Sequence, residues 1–150
     1  MFSRSSGYAI QALTYLAAQP SGRLVGAREI ATSLQIPMPF LWKILRKLSQ
    51  EKLVRSFKGV HGGYELARPA SSIRLSEILF VGRDSGLMGQ CVLGLAACDD
   101  QDPCPLHAQW KDVRVEIERK LKSTRLSDLV PKAGKGARRS ALAAAQGARS

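Results

Sequence analysis

Three cysteines and a histidine follow one another as Cys91-x6-Cys98-x5-Cys104-x2-His107. Three soft thiolates and an imidazole within 17 residues make a four-ligand set for a thiophilic metal. A structural zinc site ordinarily includes one tight cysteine pair, with about two to four residues between the two thiols, and both gaps here are wider. The spacing therefore points first to an iron–sulfur cluster, either 2Fe-2S or 4Fe-4S, then to zinc, and last to reduced thiols that hold nothing. His107 also has a plainer role open to it, as a helix-start residue that packs beside Trp110.

The second set of residues suits a polyanion. Met38, Pro39 and Phe40 open a segment that continues with Lys43, Arg46 and Lys47, and Arg28 precedes it. In DNA recognition long cations reach phosphates, while short or apolar side chains meet base edges and thymine methyls. Arg28, Lys43, Arg46 and Lys47 are read as backbone contacts, and Met38, Pro39 and Phe40 as groove contacts. Lys58 and His61 sit beside Gly62-Gly63, which are expected to allow a positive φ and a close approach to a minor groove. The bland alternative for the cations is a solvated face, and for His61 a surface loop.

The chain has no signature of catalysis: no glycine-rich phosphate loop after a strand, no G-x-S-x-G, and no paired carboxylates that a pocket would hold. It is read as a non-enzyme. Asp99, Asp100 and Asp102 lack the closing glutamate of a calcium loop and are taken as solvated loop charges.

The elements that must position these residues follow from periodicity. Apolar residues at helical spacing predict a first helix over 8–18, stopped by Pro20-Ser21-Gly22, and a short second helix from 26 or 27 to 34. Gln35-Ile36-Pro37 forms the turn into a third helix from about 38 to 51, where proline suits the first helical turn. Two alternating runs, 53–58 and 64–67, flank a glycine-rich turn and predict a β-hairpin. A helix-turn-helix followed at once by a hairpin wing is far more specific than either part. A further short helix is expected over 76–81. A long one over 106–121 carries Trp110, Val113, Ile117 and Leu121 as a stripe to be buried within the monomer or against a second subunit. The fold class expected is mainly α with a small β-hairpin wing. It divides into a winged helix-turn-helix (1–81), a cysteine-bearing loop (82–105), a dimerisation helix and C-terminal segment (106–131), and a basic disordered tail (132–150).

Charge is distributed to match. Residues 1–80 hold 11 Lys/Arg against 4 Asp/Glu, 81–131 hold 7 against 8, and 132–150 hold 5 against none, for a net +11. Clustered cations favour nucleic acid through counterion release, whereas membrane binding would ask for a basic amphipathic helix. The first residues read as neither signal peptide nor membrane span, and three cysteines do not form a disulfide scaffold, so a cytoplasmic setting is expected.

Glu29-Ile30-Ala31, Leu41-x2-Ile44-Leu45-x2-Leu48 and above all Leu53-Val54-Arg55-Ser56-x-Lys58-Gly59-x2-Gly62-Gly63-Tyr64-x-Leu66-Ala67-Arg68 resemble the IscR/NsrR-like regulators, the Rrf-two family. The cysteine trio, Cys104-x2-His107-x2-Trp110 and Thr124-x-Leu126-x-Asp128-Leu129 extend the resemblance over residues 1–131. It implies a homodimeric winged-helix regulator, repressor or activator, of a double-stranded DNA operator. By the same resemblance Cys91, Cys98, Cys104 and His107 hold an iron–sulfur cluster that reports redox, nitric oxide or iron status. Two positions depart from IscR: the first cysteine gap is one residue longer, and Trp42 replaces an acidic residue. Two other functions stay open from the residues: a DNA-binding regulator with empty thiols that answers to a small molecule or protein partner, and a redox or metal-binding protein.

Overall fold

The computed structural model describes residues 2–83, 91, 93, 95 and 99–131. The elements run α1 (Arg4–Ala17), α2 (Ala27–Leu34), α3 (Met38–Gln50), β1 (Val54–Phe57), β2 (Gly63–Leu66), a 3-10 turn at Ala70–Ser72, α4 (Leu75–Val81), α5 (His107–Ser123) and α6 (Leu126–Leu129).

α1 begins four residues ahead of the apolar repeat that predicted it. Ser3 is its N-cap, the hydroxyl accepting from the Ser6 N–H at 3.2 Å, which satisfies an otherwise orphaned donor of the first turn. That turn is polar and periodicity is silent on it, yet Ser6 is fully buried. It lies against the end of α4 so closely that a Cβ on Gly82 would stand 1.8 Å from the Ser6 hydroxyl oxygen.

α2 ends on Gln35 in the left-handed conformation (φ 54°), with the Ile36 N–H donating back to the Ala31 carbonyl at 3.0 Å. The turn drops Ile36 into the core, and Pro37 then caps α3 with Pro39 inside its first turn. Leu41, Ile44, Leu45 and Leu48 form the buried stripe of α3 and meet Ala9, Leu13 and Leu16 of α1 and Ile30 of α2 in one core. β1 and β2 pair antiparallel, Val54 opposite Leu66 and Phe57 opposite Gly63, and Val25 bridges Tyr64 on the open side of β2.

α5 packs against α4. Its end is tied back by the Leu75 N–H on the Thr124 carbonyl (2.9 Å) and the Leu126 N–H on the Ile73 carbonyl (2.8 Å). Leu126 is fully buried in the same core, and α6 is an element that the apolar repeat did not predict. Mainly helical with a two-stranded antiparallel hairpin, the chain has the expected fold class.

Candidate nucleic-acid interface and cysteine site

Because α3 commits one face to the core, helical spacing fixes the opposite one. Pro39, Lys43, Arg46 and Gln50 are all exposed there. Met38 is half-buried against the core, and Phe40 is 49% exposed with its ring 6.4 Å from that of Tyr8. Lys47 is half-buried, whereas Arg28 of α2 is exposed, as are Lys58 and His61 in the hairpin loop. The ion pairs among the described residues use Arg23, Arg55, Arg68, His107, Lys111, Arg119 and Lys122. Arg28, Lys43, Arg46, Lys47 and Lys58 take part in none of them, so their charge is open to an outside anion.

The hairpin loop differs in detail from its sequence reading. The positive φ values fall at Gly59 (104°) and Gly63 (154°), not at Gly62. Gly62 is required for another reason, since a Cβ there would lie 2.0 Å from the Phe57 carbonyl oxygen. Its N–H closes the loop on the Gly59 carbonyl at 3.0 Å.

Cys91 is buried and Cys104 half-buried, while Cys98 lies outside the described residues. The His107 N–H donates to the Cys104 carbonyl at 2.9 Å, which sets Cys104 one turn ahead of α5. His107 is itself buried, with Nε2 2.8 Å from an Asp100 carboxylate oxygen that also accepts from Lys111 Nζ at 2.8 Å. The hydrogen bonds from Lys111 and then His107 hold the Asp100 carboxyl down at about 2. Asp100 is therefore a partner of the helix start and not an idle loop charge. The available signal was the i,i+4 spacing of His107 and Lys111, which puts both on one face of a helix. No group of three or more His, Cys, Asp or Glu is placed to hold a metal among the described residues, which exclude Cys98.

Along α5 the stripe is only partly covered: Trp110, Ile117 and Leu121 are half-buried and Val113 is 46% exposed. The Trp110 Nε1 donor is buried and has no hydrogen-bond partner among the described residues. Among the described residues no helix is long and apolar enough to cross a membrane.

Comparison with known proteins places this architecture. Residues 2–132 match the Rrf2 family model, described as an iron-dependent transcriptional regulator. A protein of Aquifex aeolicus that carries the provisional name of an HTH-type transcriptional regulator is 35% identical over 132 residues, covering 87% of this chain and 91% of its own. The HTH-type transcriptional regulator IscR of Cereibacter sphaeroides is 33% identical over 142 residues, with 85% of each chain covered. Among solved structures, T. potens IscR superposes with a TM-score of 0.67 at 27% identity, covering 86% of this chain and 85% of that one. CymR, the global cysteine regulator of B. subtilis, shares the fold with a TM-score of 0.71 at 22% identity, over 86% and 95% of the two chains. Helix-turn-helix, wing, long helix and relatives agree: the chain belongs to the Rrf2 family of winged-helix transcriptional regulators.

Proposed function

We propose that this chain is a homodimeric, sequence-specific DNA-binding regulator in which α3 enters a major groove and the hairpin the adjacent minor groove. The observation that carries the reading is the exposed cationic face of α3, Lys43 and Arg46, together with the exposed Lys58 of the hairpin loop, none of them paired to a carboxylate among the described residues. Solvated cations release counterions when they meet phosphate, and this term falls steeply as salt rises. Arg28, Lys43, Arg46, Lys47 and Lys58 bind the DNA backbone, Met38, Pro39 and Phe40 flank the base edges, and His61 and Gly62 approach the minor groove. The half-covered stripe of α5, with Val113 and Val115 exposed, supplies the face on which a second subunit packs. In this organisation 1–81 reads DNA, 82–105 senses, 106–131 dimerises and 132–150 adds basic charge.

Sensing is proposed to run through an iron–sulfur cluster on Cys91, Cys98, Cys104 and His107. The described part of the donor set fits such a group: Cys91 and His107 are buried, and Asp100 sits on the imidazole as the outer carboxylate that fixes the tautomer of ligating histidines. One turn along, the Trp110 N–H has no partner among the described residues and can donate to sulfur. Such a group supplies a centre sensitive to redox state, iron and nitric oxide. Cys104 and His107 would hold it at the start of α5.

The test is a genomic DNA selection and footprint on anaerobically prepared protein, alongside iron and sulfide assays and light scattering. A dimer that protects a palindromic element with half-sites about one helical turn apart, and carries iron and sulfide, is expected. A monomer with no dyad in its footprint overturns the homodimeric reading, the absence of any selected or protected DNA overturns the DNA reading, and a dimer with empty thiols overturns the cluster alone.

A further inference from the structure

His107 opens α5 with only 10% of its side chain exposed, and two contacts decide which of its ring nitrogens carries hydrogen. Nε2 lies 2.8 Å from an Asp100 carboxylate oxygen, and Lys111 Nζ donates to that same oxygen at 2.8 Å. An ionised carboxylate only accepts, so the Nε2 that faces it bears the hydrogen, and the lone pair of the neutral ring is on Nδ1. His107 and Lys111 stand at i and i+4 of one helix, which lets both reach a single acceptor from adjacent turns.

We propose that Asp100 and Lys111 are positioning residues that preset Nδ1 of His107 as the ligating atom of the cysteine site, Lys111 holding the Asp100 carboxylate and Asp100 holding Nε2–H. The inference rests on the cluster reading above and adds to it the ligand atom and a role for Lys111. Nδ1 is bonded directly to Cγ and lies nearer its own backbone than Nε2 does. That backbone is where Cys104 is held, the His107 N–H donating to the Cys104 carbonyl at 2.9 Å. Nδ1 therefore belongs to the turn that carries a cysteine of the set, whereas Nε2 is turned to the exposed Asp100. Ligation through Nε2 would first have to break the Asp100 contact.

An imidazole held in this way has its tautomer fixed before any metal arrives, and a partner of this kind ordinarily accounts for about 10–100-fold in metal affinity. The Lys111 and Asp100 side chains are 48% and 70% exposed, so their ion pair holds little folding energy. Its effect falls on the direction of the ring. A residue that merely packed would give the opposite signature, moving the thermal midpoint and leaving the tautomer alone.

The chain has two histidines, so a His61→Gln background leaves His107 as the sole imidazole for spectroscopy. Nitrogen-15 NMR of the reduced, iron-free protein reads its tautomer. The Nε2–H form is expected to dominate, and to give way to a mixture in Asp100→Ala and Lys111→Met with thermal midpoints unchanged to within a few degrees. If Asp100→Ala does not fold, Lys111→Met carries the comparison. Protein labelled at histidine Nδ1 alone or Nε2 alone is then loaded anaerobically and reduced, and pulsed EPR reads which nitrogen couples strongly to iron; Nδ1 is expected. Iron release to a ferrous chelator is expected to be about tenfold faster in Lys111→Met and to return to the parent rate in Lys111→Arg. Strong coupling at Nε2, a dominant Nδ1–H form, or release from Lys111→Met at the parent rate overturns the proposal while the cluster reading stands. A loaded cluster with no coupled nitrogen removes His107 from the ligand set and the proposal with it. A protein that takes up neither iron nor sulfide overturns the cluster reading as well.

Discussion

Lys58 and Arg46 stand in solvent on two different elements, one on the hairpin loop and one on α3, and neither is tied to a carboxylate among the described residues. Exposed charges of this kind hold little folding energy, within about 0.5 kcal/mol each. The Lys58→Glu/Arg46→Glu variant is therefore expected to keep its thermal midpoint to within a few degrees while operator affinity falls by at least ~100-fold, two repulsions replacing two attractions at a phosphate surface. Thermal unfolding and fluorescence anisotropy at fixed salt read the two quantities. Retained operator binding would remove α3 and the wing from the interface. Met38, Pro39 and Phe40 are consecutive, and helical rotation gives each its own setting: Met38 half-buried against the core, Pro39 exposed, and Phe40 exposed with its ring near Tyr8.

At the scale of elements, α4 connects the winged-helix half to the cysteine segment, and its first turn is held by Glu77. That carboxylate accepts from the Arg74 N–H at 2.8 Å and pairs with Arg68 at 2.5 Å. Burial raises its pKa, but the Arg74 hydrogen bond and Arg68 outweigh it and the net shift is downward from 4.5. A carboxyl whose folded pKa is depressed contributes stability above its unfolded pKa and loses it as pH falls through the folded one. Glu77→Gln is expected to cost ~0.5–1.5 kcal/mol at pH 7, the range of a helix cap and a neutral-for-charged exchange, and the gap to wild type is expected to narrow as pH falls below 4.5 and the carboxylate is protonated. Chemical denaturation of both proteins across pH 3–7 checks this; a gap that is independent of pH would mean the carboxylate charge contributes nothing. α6 belongs to this scale too. Leu126-Ser127-Asp128-Leu129 is too short for a helical repeat to show, and it forms because the Arg125 N–H donates to Asp128 and Leu126 falls into a core built by distant residues.

For the whole molecule, the cysteine segment runs from the end of α4 to the start of α5, so whatever fixes it bears on both the reading half and the half-covered stripe of α5. A ligand shifts such an equilibrium only by its difference in affinity between two states. A Cys98→Ala protein, shown to be folded by its thermal transition, is expected to differ from the cluster-loaded protein by about 5–150-fold in operator affinity, the range of a ~1–3 kcal/mol coupling. Equal affinities would leave DNA binding intact and dismiss the sensor. The five cations of residues 132–150 have no acidic neighbours in that stretch and can meet phosphate in any register. Removing 132–150 is expected to flatten the dependence of log affinity on log salt while the selected consensus stays the same. A changed consensus would show that the tail reads sequence.

The sequence by itself determined the winged helix-turn-helix, because the features that specify it are local. Leu41, Ile44, Leu45 and Leu48 mark α3, Pro37 and Pro39 mark its start, and Gly59 to Gly63 mark the hairpin turn, each within one element's length of chain. The tertiary structure alone decided what depends on distant neighbours. The hairpin places its positive φ at Gly59 and Gly63 and needs Gly62 only because the Phe57 carbonyl stands where a Cβ would go. Ser6 is buried because Gly82 lets α4 close on it, and Asp100 is held by Lys111 and His107 across a segment of no periodicity. The stripe of α5 shows the same division. Spacing announces an apolar face on Trp110, Val113, Ile117 and Leu121, but burial is a relation between two surfaces, and the monomer covers only part of this one.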